Sequence, residues 1–399
     1  MTSRDERIYL DHNASAPLLP EAREAAVAAL ALANPSSTHR EGRAARAACE
    51  AARLAVARLV GGDGDVVPPE NVIFTSGATE AAAQLLSPRW LVGGETVDIF
   101  RLAVIETDHP ATREGGSFAP AAITRLPVDR DGVVDLRALA EWASASEAPG
   151  LLALSWANSE TGVIQPLAAI RDAIAGRPVR LVLDAAQRAG RLPVDLAATG
   201  ADAVILSGHK MGALKGVGAI VLASLSTRPF ALLRGGGQER GMRAGTEALP
   251  AIASFGAAAE VARRRLGGSQ SPLHDRRAWL EQQVSSRLPG AAILGRDAER
   301  LPNTAAIVHP GVKAETAQIA LDLAGVAVSA GSACSSGKVG PSHVVAALAD
   351  AGLPIDPGLG AIRVSFGFEP EKSALERFVR EYERLALRAG AKTTREVAA

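Results

Sequence analysis

Cysteine is scarce in this 399-residue chain, which has only Cys49 and Cys334. Two cysteines are too few for a disulfide framework and carry no metal-ligand spacing, so each is judged as a thiol. Aromatic residues make up 4%. The hydrophobic 47% comes largely from alanine, valine and leucine, as in helix-rich α/β enzymes with closely packed layers. Lysine occurs at six positions only (210, 215, 313, 338, 372 and 392), because arginine supplies nearly all the positive charge. The formal net charge is zero, which removes any electrostatic argument for nucleic acid or an anionic membrane surface. No apolar run approaches the roughly 18 to 20 residues that span a bilayer. The opening MTSRDERIYL lacks the basic-then-apolar pattern of a signal peptide. A cytoplasmic globular protein, with neither nucleic acid nor membrane as partner, is the expectation. Length fits two or three domains, or one large α/β domain with an appendage.

What the chain does have is a recurrent pattern of apolar strands ending in polar turns. A short strand at Ile8 to Leu10 leads to a turn from Asp11 to Pro17. Helices are predicted at Glu21 to Ala33 and Glu41 to Val60, the second carrying Cys49 as a small buried filler. The strand Asn71 to Thr75 runs through Ser76-Gly77-Ala78-Thr79-Glu80 straight into a helix. Such a helix N-terminus can receive a phosphate, or can be a plain capped turn. The run Val97 to Ile105 ends before His109, Leu151 to Trp156 before Asn158, Arg180 to Leu183 before Asp184 and Gln187, and Ala203 to Leu206 before Ser207, His209 and Lys210. With helical segments between several of them, these strands predict a largely parallel sheet whose carboxyl edge is the site.

Lys210, in DAVILSGHKMGALKGVGAIVL, can be a desolvated amine that forms a Schiff base or an ordinary loop lysine. The glycine-rich RGGGQERGMRAGTE at 234 to 247 reads as an anion-handling or interface loop, or as plain surface. Helices are predicted from Ala251 to Leu266 and Arg276 to Leu288, followed by short strands at Thr304 to Val308, Val326 to Val328 and Ile362 to Ser365. Arg363 within the last strand needs an anion, either a substrate carboxylate or a structural carboxylate. Cys334, in the glycine- and serine-rich SAGSACSSGK, is better explained as a reactive thiol than as core. Together these are the parts that pyridoxal phosphate needs: a lysine for the aldehyde, a helix N-terminus for the phosphate, a carboxylate for the ring nitrogen and an arginine for the substrate.

The motifs SGATE (76–80), His109, ANSETG (157–162), DAAQ (184–187), SGHK (207–210), GGGQERGMRAGT (235–246), GSACSSG (331–337) and IRVSFG (362–367) give the chain a resemblance. From Tyr9 to about Phe366 it resembles the class V aminotransferases of fold type I, and within them the cysteine desulfurases of the NifS/IscS type. The resemblance implies an α/β fold, with a large pyridoxal-phosphate-binding domain (15–250) built on a mostly parallel sheet flanked by helices. A smaller α+β domain (1–14 and 251–399) would carry the cysteine loop.

It further implies a role for each matching residue. Lys210 holds the cofactor and shuttles a proton, Asp184 pairs with the ring nitrogen, Gln187 bonds the ring oxygen, and His109 stacks on the ring as an acid/base. Ala78, Thr79, Ser207 and His209 hold the phosphate, joined by Thr246 from the partner of a homodimer. Asn158 lies near substrate and ring oxygen, Asn34 and Arg363 grip the substrate carboxylate, and Cys334 is the nucleophile that takes sulfur from L-cysteine as a persulfide. The long form of the cysteine loop implies delivery to a sulfur-acceptor or iron–sulfur scaffold protein. No metal site is implied beyond a transient cluster ligand at Cys334. The chain departs from the family pattern in three places: His12 stands where tyrosine or asparagine is usual, Ser15-Ala16 replaces a threonine pair, and Ala244 replaces serine. The competing readings are a selenocysteine lyase or aminotransferase with the same cofactor, and a non-enzymatic protein that keeps the fold. The presence of Cys334 counts against the first, and that of Lys210 and Asp184 against the second.

Overall fold

A computed structural model describes residues 7–62, 67–268, 271–331, 342–368 and 371–397. Its centre is a seven-stranded sheet in the spatial order Val72–Thr75, Gly218–Leu222, Ala203–Ser207, Val179–Asp184, Gly150–Ser155, Arg101–Ile105 and Ile123–Leu126. Gly218–Leu222 runs antiparallel to both its neighbours, and every other pairing is parallel. Three of the inner strands, Gly150–Ser155, Ala203–Ser207 and Gly218–Leu222, are buried along their whole length, as expected of a sheet covered on both faces. One apolar cluster includes Val56, Leu183, Leu206 and Phe255, and another includes Ile73, Leu85, Trp90 and Ile205. Alternate residues of one strand, such as Ile205 and Leu206, therefore feed opposite cores. The helices Pro20–Ala29, Arg40–Leu59 and Leu249–Leu266 pack together against the first cluster, with Gly256 so close to Ala52 that an added Cβ would lie 2.5 Å from its Cα.

A four-stranded antiparallel sheet, ordered Ala292–Ile293, Thr304–Val308, Ile362–Ser365 and Ser329–Ala330, forms a separate layer. Its core combines Leu280, Ile307, Val364, Phe378 and Tyr382 with Leu10 from the N-terminus. The two-residue strand Ile8–Tyr9 pairs in parallel with Val326–Ala327. The chain then bridges from Asp11 to Ser365 and reaches the central sheet where Ala16 N–H donates to His209 O. The N-terminal turn is thus wedged between the two sheets.

The predicted strand Val97 to Ile105 is two elements. Glu95–Asp98 belongs to a small three-stranded sheet with Arg89–Val92 and Thr227–Pro229, and only Arg101–Ile105 enters the central sheet. Between them Ile99 N–H donates to Pro88 O and Phe100 N–H to Pro149 O, which turns the chain from one sheet to the other. Helix ends shift by a few residues, as at Pro20–Ala29 and Leu249–Leu266, each with proline in its first turn. No helix among the described residues is long and apolar enough to cross a membrane.

Candidate active site

The carboxyl ends of the parallel strands converge, and Lys210 stands among them. It closes a short 3-10 turn, Gly208–Lys210, after the strand Ala203–Ser207. Gly208 is required there, since an added Cβ would lie 2.8 Å from Val217 Cγ1. Lys210 Nζ donates to Asn13 O at 2.6 Å and to Ala14 O at 2.9 Å. Asp184, at the end of the next strand, is 7% exposed and accepts from Ala186 N–H at 2.9 Å. Burial raises its pKa, while His109 and Lys210 act in the opposite sense. Gln187 is buried, with Nε2 donating to Asn13 O and Oε1 accepting from Arg191 Nη1.

His109 caps the short helix Pro110–Arg113, its Nδ1 accepting from Ala111 N–H at 3.1 Å. In the neutral ring that acceptor role leaves the proton on Nε2. Asp108, whose part the sequence did not reveal, lies behind it. Its two carboxylate oxygens take Ile105 N–H and Ser155 N–H at 2.7 Å each, tying two strand ends together. Complete burial pushes its pKa up to about 7. Asn158 organises its own loop: Oδ1 accepts from Glu160 N, Thr161 N and Thr161 Oγ1, and Nδ2 donates to Thr107 O.

The turn before the helix Ala78–Leu85 has no capping side chain at Gly77. A Cβ built on Gly77 meets nothing within 4 Å, so open space faces the turn. Thr79 is exposed in the first helical turn, and Glu80 braces the turn by accepting from Ser76 N–H at 2.8 Å. His209 Nδ1 lies 3.3 Å from Ser15 Oγ, and burial, followed by Lys210, lowers its pKa to about 4. Ser207 is buried at the strand end.

The glycine-rich loop is fastened to this same turn. Glu239 is buried. It pairs with Arg53 at 2.7 Å and accepts from Phe74 N–H at 2.8 Å, in the strand that leads to Ser76. Arg243 donates to Glu80 at 3.0 Å. Glu239 and Arg240 hold φ values of 46° and 57°, a left-handed backbone that side chains disfavour and that the buried pair holds in place.

Arg363 is buried, with Nη2 on Asp11 Oδ1 (2.7 Å) and Ser329 Oγ (3.0 Å) and Nη1 on Ser159 O (3.0 Å). A structural carboxylate therefore takes one edge of the guanidinium. Nε is buried without a hydrogen-bond partner among the described residues. Asn34 accepts from Ser36 N–H in a local turn, and no hydrogen bond among the described residues joins it to Arg363. Thr246 is exposed on its loop. Cys334 lies outside the described residues. Before that segment Ser329 lies beside the site, bonded to Arg363, and after it the described chain resumes at Ser342, whose Oγ donates to Glu160 at 2.6 Å. Cys49 is buried among alanines of the first core, and burial pushes its thiol up to about 12.

Residues 8–378 match the family model described as aminotransferase class-V. A cysteine desulfurase of Cereibacter sphaeroides is 38% identical over 385 residues, 94% of each chain. The cysteine desulfurase NifS of Azotobacter vinelandii is 32% identical over 379 residues, covering 94% of this chain and 91% of that protein. Among solved structures, a NifS-like protein from Rickettsia africae superposes with a TM-score of 0.83 at 27% identity, covering 95% of this chain and 99% of its own. A likeness that runs through both sheets and the whole strand-end site has one reading: the chain belongs to the class-V aminotransferase family, as a relative of its cysteine desulfurases.

Proposed function

We propose that the chain is a cysteine desulfurase that uses pyridoxal phosphate to remove sulfur from L-cysteine, releasing L-alanine and carrying the sulfur as a persulfide on Cys334. One observation carries this reading. Lys210, the buried Asp184 and the uncapped helix Ala78–Leu85 meet at one edge of the central sheet, and Ser329 and Ser342, which flank the segment bearing Cys334, bond to Arg363 of the second sheet and to Glu160.

The donor set suits the cofactor. The open turn at Gly77, with the first N–H groups of its helix, suits a phosphate, joined by Thr79, Ser207 and His209. Asp184 is a buried carboxylate that gains from a cationic ring nitrogen, because burial alone disfavours its charge. Bound there, pyridoxal phosphate supplies an aldehyde for amines and a ring that takes up electron density from the substrate carbons.

The chain's own groups do the rest. Lys210 holds the aldehyde at rest and moves the proton at the substrate α-carbon, while His109 exchanges a proton through Nε2. Gln187 donates to the ring oxygen, and Asn158 keeps the wall of the pocket rigid. Arg363 offers Nε to the substrate carboxylate, with Asn34 as the second contact. The Cys334 thiolate attacks the substrate sulfur. A sulfur–sulfur bond forms as the carbon–sulfur bond breaks, the electron pair of that bond goes to carbon, and a proton added there completes alanine. A free thiol has a pKa near about 8.5, so a proton acceptor or positive group must favour the thiolate.

The working unit is a homodimer in which Thr246 reaches the phosphate of the neighbouring site. Its large domain comprises residues 15–250, and its small domain residues 1–14 and 251–399. The persulfide serves an acceptor such as an iron–sulfur scaffold protein.

The test is incubation of the pyridoxal-phosphate-loaded chain with L-cysteine and a thiol reductant. Alanine and sulfide in equal amounts are expected, with sulfide falling to background in Cys334→Ala. Pyruvate or a transaminated product, or sulfide release by Cys334→Ala at the wild-type rate, would overturn the assignment.

A further inference from the structure

Arg191 is a buried cation, 6% exposed, with no carboxylate partner among the described residues. Its hydrogen bonds go to Gln187 O (2.6 Å), Gln187 Oε1 (2.9 Å) and His12 O (3.3 Å). A buried guanidinium is ordinarily paired with a carboxylate. Here burial and the nearby Arg363 lower its pKa to about 10. The cost of holding this charge needs a reason.

The reason lies in what arginine cannot do. A guanidinium only donates and a backbone carbonyl only accepts, so the Gln187 amide, set between Arg191 and Asn13 O, has one allowed orientation. Its oxygen faces Arg191. Its nitrogen faces Asn13 O at 3.0 Å, the same carbonyl that receives Lys210 Nζ at 2.6 Å. An unconstrained amide could turn over and present an acceptor instead. Arg191 stands four residues after Gln187, at the far end of the same tight turn, which brings its guanidinium to both the Gln187 carbonyl and the Gln187 amide.

Resting on the cofactor assignment above, we infer that Arg191 is a positioning residue. It locks the Gln187 amide so that only a donor N–H faces a ring oxygen, favouring the anionic form of that oxygen. The other charged and titratable groups around this point are Lys210, His209, Asp184 and His109 from the strand ends, His12 and Asp11 from the N-terminal turn, and Arg363 from the second sheet.

The experiment is a spectroscopic pH titration of the visible band of the loaded protein, without substrate, in wild type, Arg191→Met, Arg191→Lys, Gln187→Ala and the Gln187→Ala/Arg191→Met double variant. Loss of one hydrogen bond to a charged form is expected to raise the midpoint by about one pH unit in Arg191→Met and in Gln187→Ala. Arg191→Lys, which keeps a donor, is expected to restore most of the shift, and it serves as the readout if the methionine variant does not fold. In the Gln187→Ala background Arg191→Met should add nothing. An equal shift in both backgrounds would mean that the arginine charge acts through space, and would overturn the inference. So would an unchanged midpoint in Arg191→Met. A wild-type chain that takes up no pyridoxal phosphate would overturn the functional proposal and this inference with it, whereas a loaded wild type beside an unshifted variant overturns this inference alone.

Discussion

Asn13 shows what one residue does for this site. It is 1% exposed, its carbonyl receives both Lys210 and Gln187, and its Nδ2 donates to Ser159 O and Thr304 Oγ1. Nothing in the sequence marks it, because its work is done by a backbone oxygen and by partners up to 352 residues away. Lys210, Asp184 and His109 were legible for the opposite reason, since each is a polar residue placed just after an apolar strand. His12, next to Asn13, carries a pH dependence. Burial, followed by Arg191, lowers its pKa from 6.5 to about 4. A histidine depressed in the fold contributes stability that is complete above its unfolded value and is lost as pH falls from about 6.5 towards 4, because the unfolded chain takes up the proton first. His12→Asn removes this term. The stability of wild type relative to that variant, from urea unfolding at a series of pH values, should therefore decline between about pH 6.5 and 4. Parallel profiles would contradict the half-buried, neutral imidazole.

At the scale of elements, the strand ends were legible and their fastening was not. The run from Val97 to Ile105 reads as one strand by hydrophobicity, yet it serves two sheets, and only the hydrogen bonds of Ile99 and Phe100 to other segments set the break. The glycine-rich loop read equally well as anion-handling or as surface. Its fold depends on Arg53, in a helix nearly two hundred residues earlier, and on the strand that leads into the Ser76 turn. Loop and turn are one unit. Both side chains of the Arg53–Glu239 pair are almost fully buried, at 3% and 2%. Removing one partner from such a pair costs about 3–5 kcal/mol, whereas removing both costs less. Arg53→Met should lose that much in urea unfolding, and Arg53→Met with Glu239→Gln should recover part of it. A loss below about 1 kcal/mol in the single variant, the range of an exposed pair, would show that the pair does not fix the loop.

For the whole molecule, the parallel sheet with its polar carboxyl edge was foreseeable from the order of strands and turns. The setting of the N-terminal turn between the two sheets was not, because a two-residue strand such as Ile8–Tyr9 has no periodicity to read. That turn gives Lys210 its carbonyl partners and Arg363 its Asp11, so the second sheet and the central sheet share one site. The two cysteines divide along the same lines. Cys49 is sealed in the first core with a thiol pushed up to about 12, whereas Cys334 lies between Ser329, which bonds Arg363, and Ser342, which bonds Glu160. The most direct test of the account is therefore to react the loaded chain with L-cysteine in the absence of reductant, quench, and locate the added sulfur by peptide mass spectrometry. The account predicts one extra sulfur atom on the peptide holding Cys334 and none on that holding Cys49. Alanine formed with no sulfur on Cys334, or sulfur found on Cys49 instead, would contradict it.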